Sequence, residues 1–184
     1  MPLPIHWQTA SNVRFADISK RLETATLIER HELLTFVRLH NARIRPRISD
    51  RWLILEMLKY FLECIALGSD SDTDVGEEDF DSPFDAARQL VRWFNWYRNA
   101  EKESQSIQNI ADSIAEFYRN RNDFCRNCVE TRFLKHVLET PENRSFFRGW
   151  ADDPVLVDAH HESLKWGLAH ETTVTPGSSS HGHR

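Results

Sequence analysis

The sequence predicts an all-α protein, a single-domain bundle of about five or six helices around a central buried helix. Apolar side chains recur every three or four residues along most of the 184-residue chain, and no run alternates between apolar and polar residues as a strand would. Residues 50–67 are apolar on nearly every face, which is typical of a helix surrounded by neighbours. Six Trp and eleven Phe provide the apolar area that a sizeable core requires.

The central helix is the most clearly specified element of this bundle. Asp50 can cap its first turn, and Gly68 lies where helices often end in a left-handed residue. Between them, Glu56, Lys59 and Glu63 are the polar exceptions, and their spacing places them on one narrow stripe. We therefore expect the rest of this helix to be buried.

Capping signals and apolar spacing predict the other helices near the N-terminus and after the central helix. Ser82 followed by Pro83 is a strong start signal, because Ser caps exposed amides and Pro suits the first helical position. That helix is expected to end near residues 99–104. An earlier helix is predicted from the apolar face that is made of Phe15, Ile18, Leu22 and Ala25.

A long helix is predicted over about residues 105–139. Pro141 is expected to stop it, because proline cannot continue a helix. Residues 120–123, which are Asn-Arg-Asn-Asp, either interrupt this helix or lie within it, and the pattern leaves both readings open. Asp153 followed by Pro154 predicts the start of a short last helix.

Charge is distributed unevenly along the chain. Residues 69–85 contain eight acidic side chains and no basic ones, which leaves 20 acidic residues against 23 basic ones elsewhere. This composition predicts an acidic loop over residues 69–82. The last segment is polar and rich in Gly and Ser, so we expect a helical domain over residues 1–171 and a disordered tail over residues 172–184.

Targeting and membrane signals are not visible in the sequence. The N-terminal residues lack a basic region followed by a long apolar one, so no signal peptide is expected. The apolar stretch at residues 52–67 is interrupted by charged side chains and is too short to span a bilayer. Three cysteines do not indicate a disulfide-stapled scaffold. These features predict a cytoplasmic protein with no membrane partner.

Cys125 and Cys128 form the pattern most similar to a transition-metal site. Thiolates three residues apart on a helix share one face and can reach the same soft cation, so the pair is a candidate zinc site. Its other ligands would have to come from another element, because His136 lies about 12 Å further along the helix axis than Cys128. The alternative is that both cysteines are small core residues.

The acidic loop contains a candidate calcium site. Asp70, Asp72 and Asp74 alternate along the chain, and this spacing is similar to that of an EF-hand loop. Two departures weaken the likeness: Gly76 falls at the seventh position instead of the sixth, and Asp81 replaces the bidentate Glu of the twelfth. The alternative is a solvated acidic loop.

Arginine-rich segments suggest an anion or nucleic-acid site as an alternative function. Four arginines cluster at the entrance to the central helix, where an anion such as phosphate can bind. A second group on the long helix could join nearby aromatic side chains in gripping a single strand. Both groups could instead pair with acidic side chains of the same chain. The first group is Arg43, Arg45, Arg47 and Arg51, and the second is Arg119, Arg121, Arg126 and Arg132.

The expected function is a helical protein-interaction or regulatory module without evident catalytic activity. No Gly-rich phosphate loop or nucleophile elbow is present in the sequence, and no cofactor is predicted beyond the zinc and calcium candidates. The expected partner is another protein or a second copy of the chain. Arginine and aromatic side chains are enriched at interfaces, so the expected surface combines the adjoining acidic loop with Arg92, Trp93, Trp96 and Arg98.

Overall fold

A computed structural model describes residues 15–26, 33–34, 51–67 and 82–171, and it confirms an all-α single domain. No strand occurs within these ranges. Most of the predicted acidic loop and the predicted tail 172–184 lie outside them. The helices are α1 (Phe15–Leu22), α2 (Arg51–Leu67), α3 (Pro83–Ala100), α4 (Ser104–Arg119), α5 (Asp123–Cys128), α6 (Lys135–Val137) and α7 (Val157–Ala169); a π-helical segment (Val129–Leu134) joins α5 to α6, and a 3₁₀ helix (Pro141–Asp152) precedes α7.

Helix α2 is the predicted central helix, but the side that it exposes to solvent differs from the predicted one. Most of its apolar side chains are buried, and it packs against α3, α4 and α5. Trp52 and Leu55 were expected to be buried but are 45% and 46% exposed, whereas Glu56 is buried beside Lys59. The exposed stripe therefore runs through Trp52, Leu55, Lys59 and Glu63. A helix that is apolar on nearly all sides does not itself specify which side its neighbours leave open.

Helices α1 and α3 form where their sequence signals predicted. At the start of α3, the backbone amide of Asp85 donates a hydrogen bond to Ser82 Oγ at 3.3 Å, and Pro83 is the first helical residue. Helix α3 ends at Ala100, inside the predicted range. In α1, the side chains of Ile18 and Leu22 are buried.

The predicted long helix is interrupted at residues 120–122. Helix α4 ends at Arg119, and α5 begins at Asp123. Asn122 is the new N-cap, because its side-chain oxygen accepts a hydrogen bond from the backbone amide of Cys125 at 3.0 Å. An Asn side chain that caps a helix offers the chain a local alternative to helix continuation.

The 3₁₀ helix was not predicted, and its side chains complete the end of the preceding helix. Asn143 Nδ2 donates to the carbonyl of Val137 at 2.8 Å, and Arg144 Nε donates to the carbonyl of Leu138 at 2.9 Å. The last carbonyls of a helix have no partner within the helix, so these two bonds satisfy groups that would otherwise need water. They also fix the 3₁₀ helix to the end of α6.

Three phenylalanines from three different elements form the centre of the core. Phe94 of α3, Phe133 of the π-helical segment and Phe147 of the 3₁₀ helix are each fully buried. Their ring centroids are 6.0 Å (94 to 133), 5.5 Å (94 to 147) and 5.8 Å (133 to 147) apart. Trp150 extends the cluster from Phe147 towards Tyr118 of α4. Tilted and edge-to-face contacts at these distances are favourable for aromatic rings.

Helix α7 closes the domain by crossing the end of α6 at very short range. A Cβ atom added at Gly167 would lie 2.7 Å from both the carbonyl carbon and the carbonyl oxygen of Leu138. Only a residue without a side chain fits between these two backbones. Gly149 in the 3₁₀ helix provides a contrast, because a Cβ atom there would meet nothing within 4 Å.

We predict that Gly167→Ala lowers the free energy of unfolding by about 1–3 kcal/mol, because the methyl group forces two backbones apart. Gly149→Ala is the matched control, and it should leave stability unchanged or raise it by less than about 1 kcal/mol. Urea denaturation followed by circular dichroism measures both. Equal effects of the two substitutions would contradict the close crossing.

Candidate functional site

The predicted surface around Trp93 and Trp96 does not form as an exposed aromatic patch. Trp93 is only 6% exposed and stacks on Tyr97, with ring centroids 5.9 Å apart and planes 8° from parallel. Trp96 is half-buried against the core, Arg98 is half-buried, and only Arg92 is exposed. The placement of Trp93 at an interface is therefore wrong. Trp93 lies on the same face of α3 as Ala86, Leu90 and Tyr97, and that face packs on α2.

The arginine cluster at the entrance to α2 is only partly within the described residues. Arg43, Arg45 and Arg47 lie outside them. Arg51 is exposed, and its guanidinium pairs with the carboxylate of Glu103 at 2.6 Å. This pairing agrees with the alternative that such arginines are neutralised within the chain.

The carboxylate of Glu101, beside this pair, is also hydrogen-bonded by neighbouring groups. Tyr97 Oη donates to Glu101 Oε2 at 3.0 Å, and the other oxygen of Glu101 accepts the backbone amides of Lys102 and Glu103. The amide of Glu103 is the main cause that lowers the pKa of Glu101, whereas burial raises the pKa of Tyr97. The cluster ties α2 to the α3–α4 junction.

The second arginine group is used within the fold. Arg119 pairs with Asp153 at 2.8 Å, and Arg126 donates to the carbonyls of Tyr118 and Arg119. Arg121 and Arg132 lie over aromatic rings, with the guanidinium carbon 5.1 Å from the Phe117 centroid and 5.7 Å from the Phe84 centroid respectively. These contacts place the group within the fold, while Arg119, Arg121 and Arg132 stay exposed.

The two candidate zinc cysteines lie in the core. Cys125 and Cys128 are 1% and 0% exposed, and the Cys125 thiol donates to the carbonyl of Ile65 at 3.8 Å. Burial raises the pKa of Cys128 to about 11, with the neighbouring Cys125 as a smaller cause. Among the described residues, no three His, Cys, Asp or Glu side chains are grouped closely enough to hold a metal ion. Asp70, Asp72 and Asp74 lie outside these residues.

A groove of about 400 Å³ lies between the 3₁₀ helix and α7, and it combines cationic, polar and aliphatic side chains. The two elements are joined by a short connection and run in opposite directions, since Arg144 reaches Glu171 near the end of α7. Arg148 and His160 therefore lie at the end near the connection, and the two leucines and the Arg144–Glu171 pair lie at the other end. Its lining residues are Pro141, Arg144, Ser145 and Arg148 from the 3₁₀ helix, and His160, Leu164 and Leu168 from α7.

The two arginines of the groove differ in their partners. Arg144 is half-buried, and besides its bond to Leu138 its guanidinium pairs with Glu171 at 3.1 Å. Arg148 is exposed and has no hydrogen bond or ion pair to any residue that the structure describes. One positive charge of the groove is thus neutralised by a fixed carboxylate, and the other is open to a ligand.

His160 contributes a buried polar group to the same groove. Its side chain is 6% exposed, and Nδ1 is fully buried with no hydrogen-bond partner in the described part of the chain. Burial lowers its pKa, and repulsion from the neighbouring His161 lowers it further. A neutral imidazole carries one N–H donor, so the ring can donate to an anion without bringing a charge of its own.

One wall of this groove could have been predicted from the sequence. His160, Leu164 and Leu168 are four residues apart in succession, so they lie along one side of an α-helix. The other wall could not, because it depends on the 3₁₀ helix, in which residues three apart share a side, as Ser145 and Arg148 do.

Comparison with known protein families, with characterised proteins and with solved structures yields no match to this chain. Within the described residues, no helix is both long enough and apolar enough to cross a membrane.

We predict that the three thiols of the native protein react slowly with a thiol reagent such as Ellman's reagent at pH 8. All three cysteines are buried, and only a thiolate reacts. In urea all three should react rapidly, which provides the control within the same chain. Rapid modification of Cys125 or Cys128 in the folded protein would contradict their burial in the core.

We predict that the stability of the protein falls as the pH is lowered from 7 to 5. The pKa of His160 in the folded state is below its ordinary value of 6.5, so the unfolded state binds the proton more readily below that pH. The stabilisation present above pH 6.5 is therefore lost in acid. His160→Leu should flatten this dependence, whereas His161→Gln, at an exposed position, should retain most of it. Denaturant unfolding at each pH measures the effect, and identical slopes in the wild type and His160→Leu would refute this assignment.

Proposed function

We propose that this chain is a helical interaction module that binds another protein through the groove between the 3₁₀ helix and α7. The observation that carries the proposal is the combination of side chains along this groove. Arg148 has no partner within the described residues, and Leu168 is 55% exposed at the opposite end. Sites for protein partners commonly combine an apolar region with a few fixed polar groups.

The construction of the groove supports a binding role. The 3₁₀ helix is held by the fully buried Phe147 and by the bonds of Asn143 and Arg144 to the end of α6. Helix α7 is held at Gly167 by its close crossing with the same region. Because both walls are anchored to one part of the core, a partner would bind without first having to order the site.

The alternatives have less support among the described residues. In the two arginine groups, Arg51, Arg119 and Arg126 already have hydrogen-bond or ion-pair partners within the chain. The exposed Arg121 and Arg132 lie over aromatic rings and do not line the groove. A zinc-dependent regulator would require further ligands beside Cys125 and Cys128, and the described residues group none with them.

The test compares the wild type with Arg148→Glu and with Arg92→Glu as a matched control, because Arg92 is also exposed but lies on α3, outside the groove lining. Each form is immobilised and exposed to an extract of the cells in which the protein naturally occurs. Any protein that the wild type retains is purified, and its affinity for each of the three forms is measured by titration. We expect Arg148→Glu to weaken this binding at least about tenfold, or about 1.4 kcal/mol, and Arg92→Glu to leave it unchanged.

Two results would contradict this proposal. If the wild type retains no protein and also sediments as a monomer, the interaction role is wrong. If a purified partner binds all three forms equally, the groove is not the binding surface.

A further inference from the structure

We infer that the groove recognises an acidic side chain and an aliphatic side chain that lie two residues apart in an extended segment of a partner protein. This inference rests on the proposed function and names the chemistry of the partner. It is carried by the order of the side chains along the groove and by the polar groups at one end that have no partner within the described residues.

The polar end of the groove is suited to a carboxylate. Arg148 and His160 lie nearest the connection between the two helices, and Ser145 is one turn of the 3₁₀ helix away from Arg148. The Ser145 hydroxyl makes only a long bond of 3.3 Å to the carbonyl of Glu142. The lining at this end thus contains a guanidinium, a hydroxyl and an imidazole, which are groups that can donate hydrogen bonds to a carboxylate, and it contains no acidic residue.

The fixed carboxylate of the groove lies towards its other end. Glu171 pairs with Arg144, and Arg144 also binds the carbonyl of Leu138. This pair therefore holds the fold together and leaves the charge of Arg148 without compensation from the described residues. The partner of complementary charge is an acidic group, not a basic one.

The aliphatic end of the groove sets the second requirement. Leu164 and Leu168 line the groove from α7, and Leu168 is more than half exposed. Residues 160–168 of a helix span about 12 Å, at 1.5 Å per residue. An extended peptide advances about 3.3 Å per residue, and its alternate side chains share one face. A side chain two positions from the acidic one therefore lies about 6.6 Å along the groove, at the level of Leu164 and towards Leu168.

His160 adds a polar side chain to the end of the groove where Arg148 lies. Its Nδ1 atom is buried and has no hydrogen-bond partner among the described residues, which is uncommon for a buried polar atom. Together with the unpaired Arg148, this makes the end of the groove near the connection the one whose polar groups are least satisfied within the described part of the chain.

The experiment uses the full chain and a labelled seven-residue peptide, Ser-Leu-Ser-Glu-Ser-Leu-Ser, with both ends blocked so that the Glu carboxylate is its one charge. Leucine on both sides of Glu makes the design independent of chain direction. Fluorescence anisotropy should show saturable binding to the wild type. Replacing Glu with Gln in the peptide should weaken binding at least about tenfold, because a charge-assisted bond is lost.

Two pairs of protein variants, each made of a test substitution and its control, examine the two ends of the groove. Arg148→Gln should weaken peptide binding at least about tenfold, and Arg92→Gln should not change it. Leu168→Ala should weaken binding about three- to fivefold. Val155→Ala is its control, because Val155 is also exposed but does not line the groove. All four residues are exposed, so thermal unfolding should confirm that each variant is folded.

Several outcomes would overturn the inference. Equal binding of the Glu and Gln peptides would show that no carboxylate is recognised, and an unchanged affinity of Arg148→Gln would place the peptide elsewhere. Binding of octanoate without binding of the peptide would identify a small-molecule carboxylate site. If neither peptide binds but a captured partner still depends on Arg148, the interaction role stands and the carboxylate assignment fails.

Discussion

The contact between Phe94, Phe133 and Phe147 is the constraint on which the rest of the described structure depends. These rings belong to α3, the π-helical segment and the 3₁₀ helix, and each touches the other two. Because all three are fully buried, the 3₁₀ helix cannot move without opening the core. Arg148 directly follows Phe147 in the chain, so the same anchor that fills the core also presents the free guanidinium to solvent.

The groove forms because the 3₁₀ helix and α7 both pack against the end of α6. Side chains of the 3₁₀ helix bind the terminal carbonyls of Val137 and Leu138, while Gly167 lets α7 approach the same Leu138 backbone. Both walls of the groove are therefore attached to the same short stretch of chain, at Val137 and Leu138. If the groove binds a partner as proposed, walls that are anchored in this way reduce the entropy that is lost on binding.

The sequence was informative where a local rule determines the structure. Ser82 and Pro83 specify the start of α3 through a capping hydrogen bond, and the apolar spacing of the first helix correctly located the buried Ile18 and Leu22. It was uninformative where the outcome depends on neighbours. Trp93 has the same chemistry in a core as at an interface, and only the packing of α3 on α2 decides between them. The 3₁₀ helix gave no periodic signal, so the groove that it forms with α7 could not be assembled from sequence.

The proposed binding site is tested most directly by backbone amide NMR spectra of the full chain during titration with the Glu-containing peptide. We expect shift changes that saturate and are concentrated in residues 141–148 and 160–168, on the two walls of the groove. Changes centred instead on the exposed side of α3 near Arg92 would contradict the groove and favour the surface that the sequence first suggested.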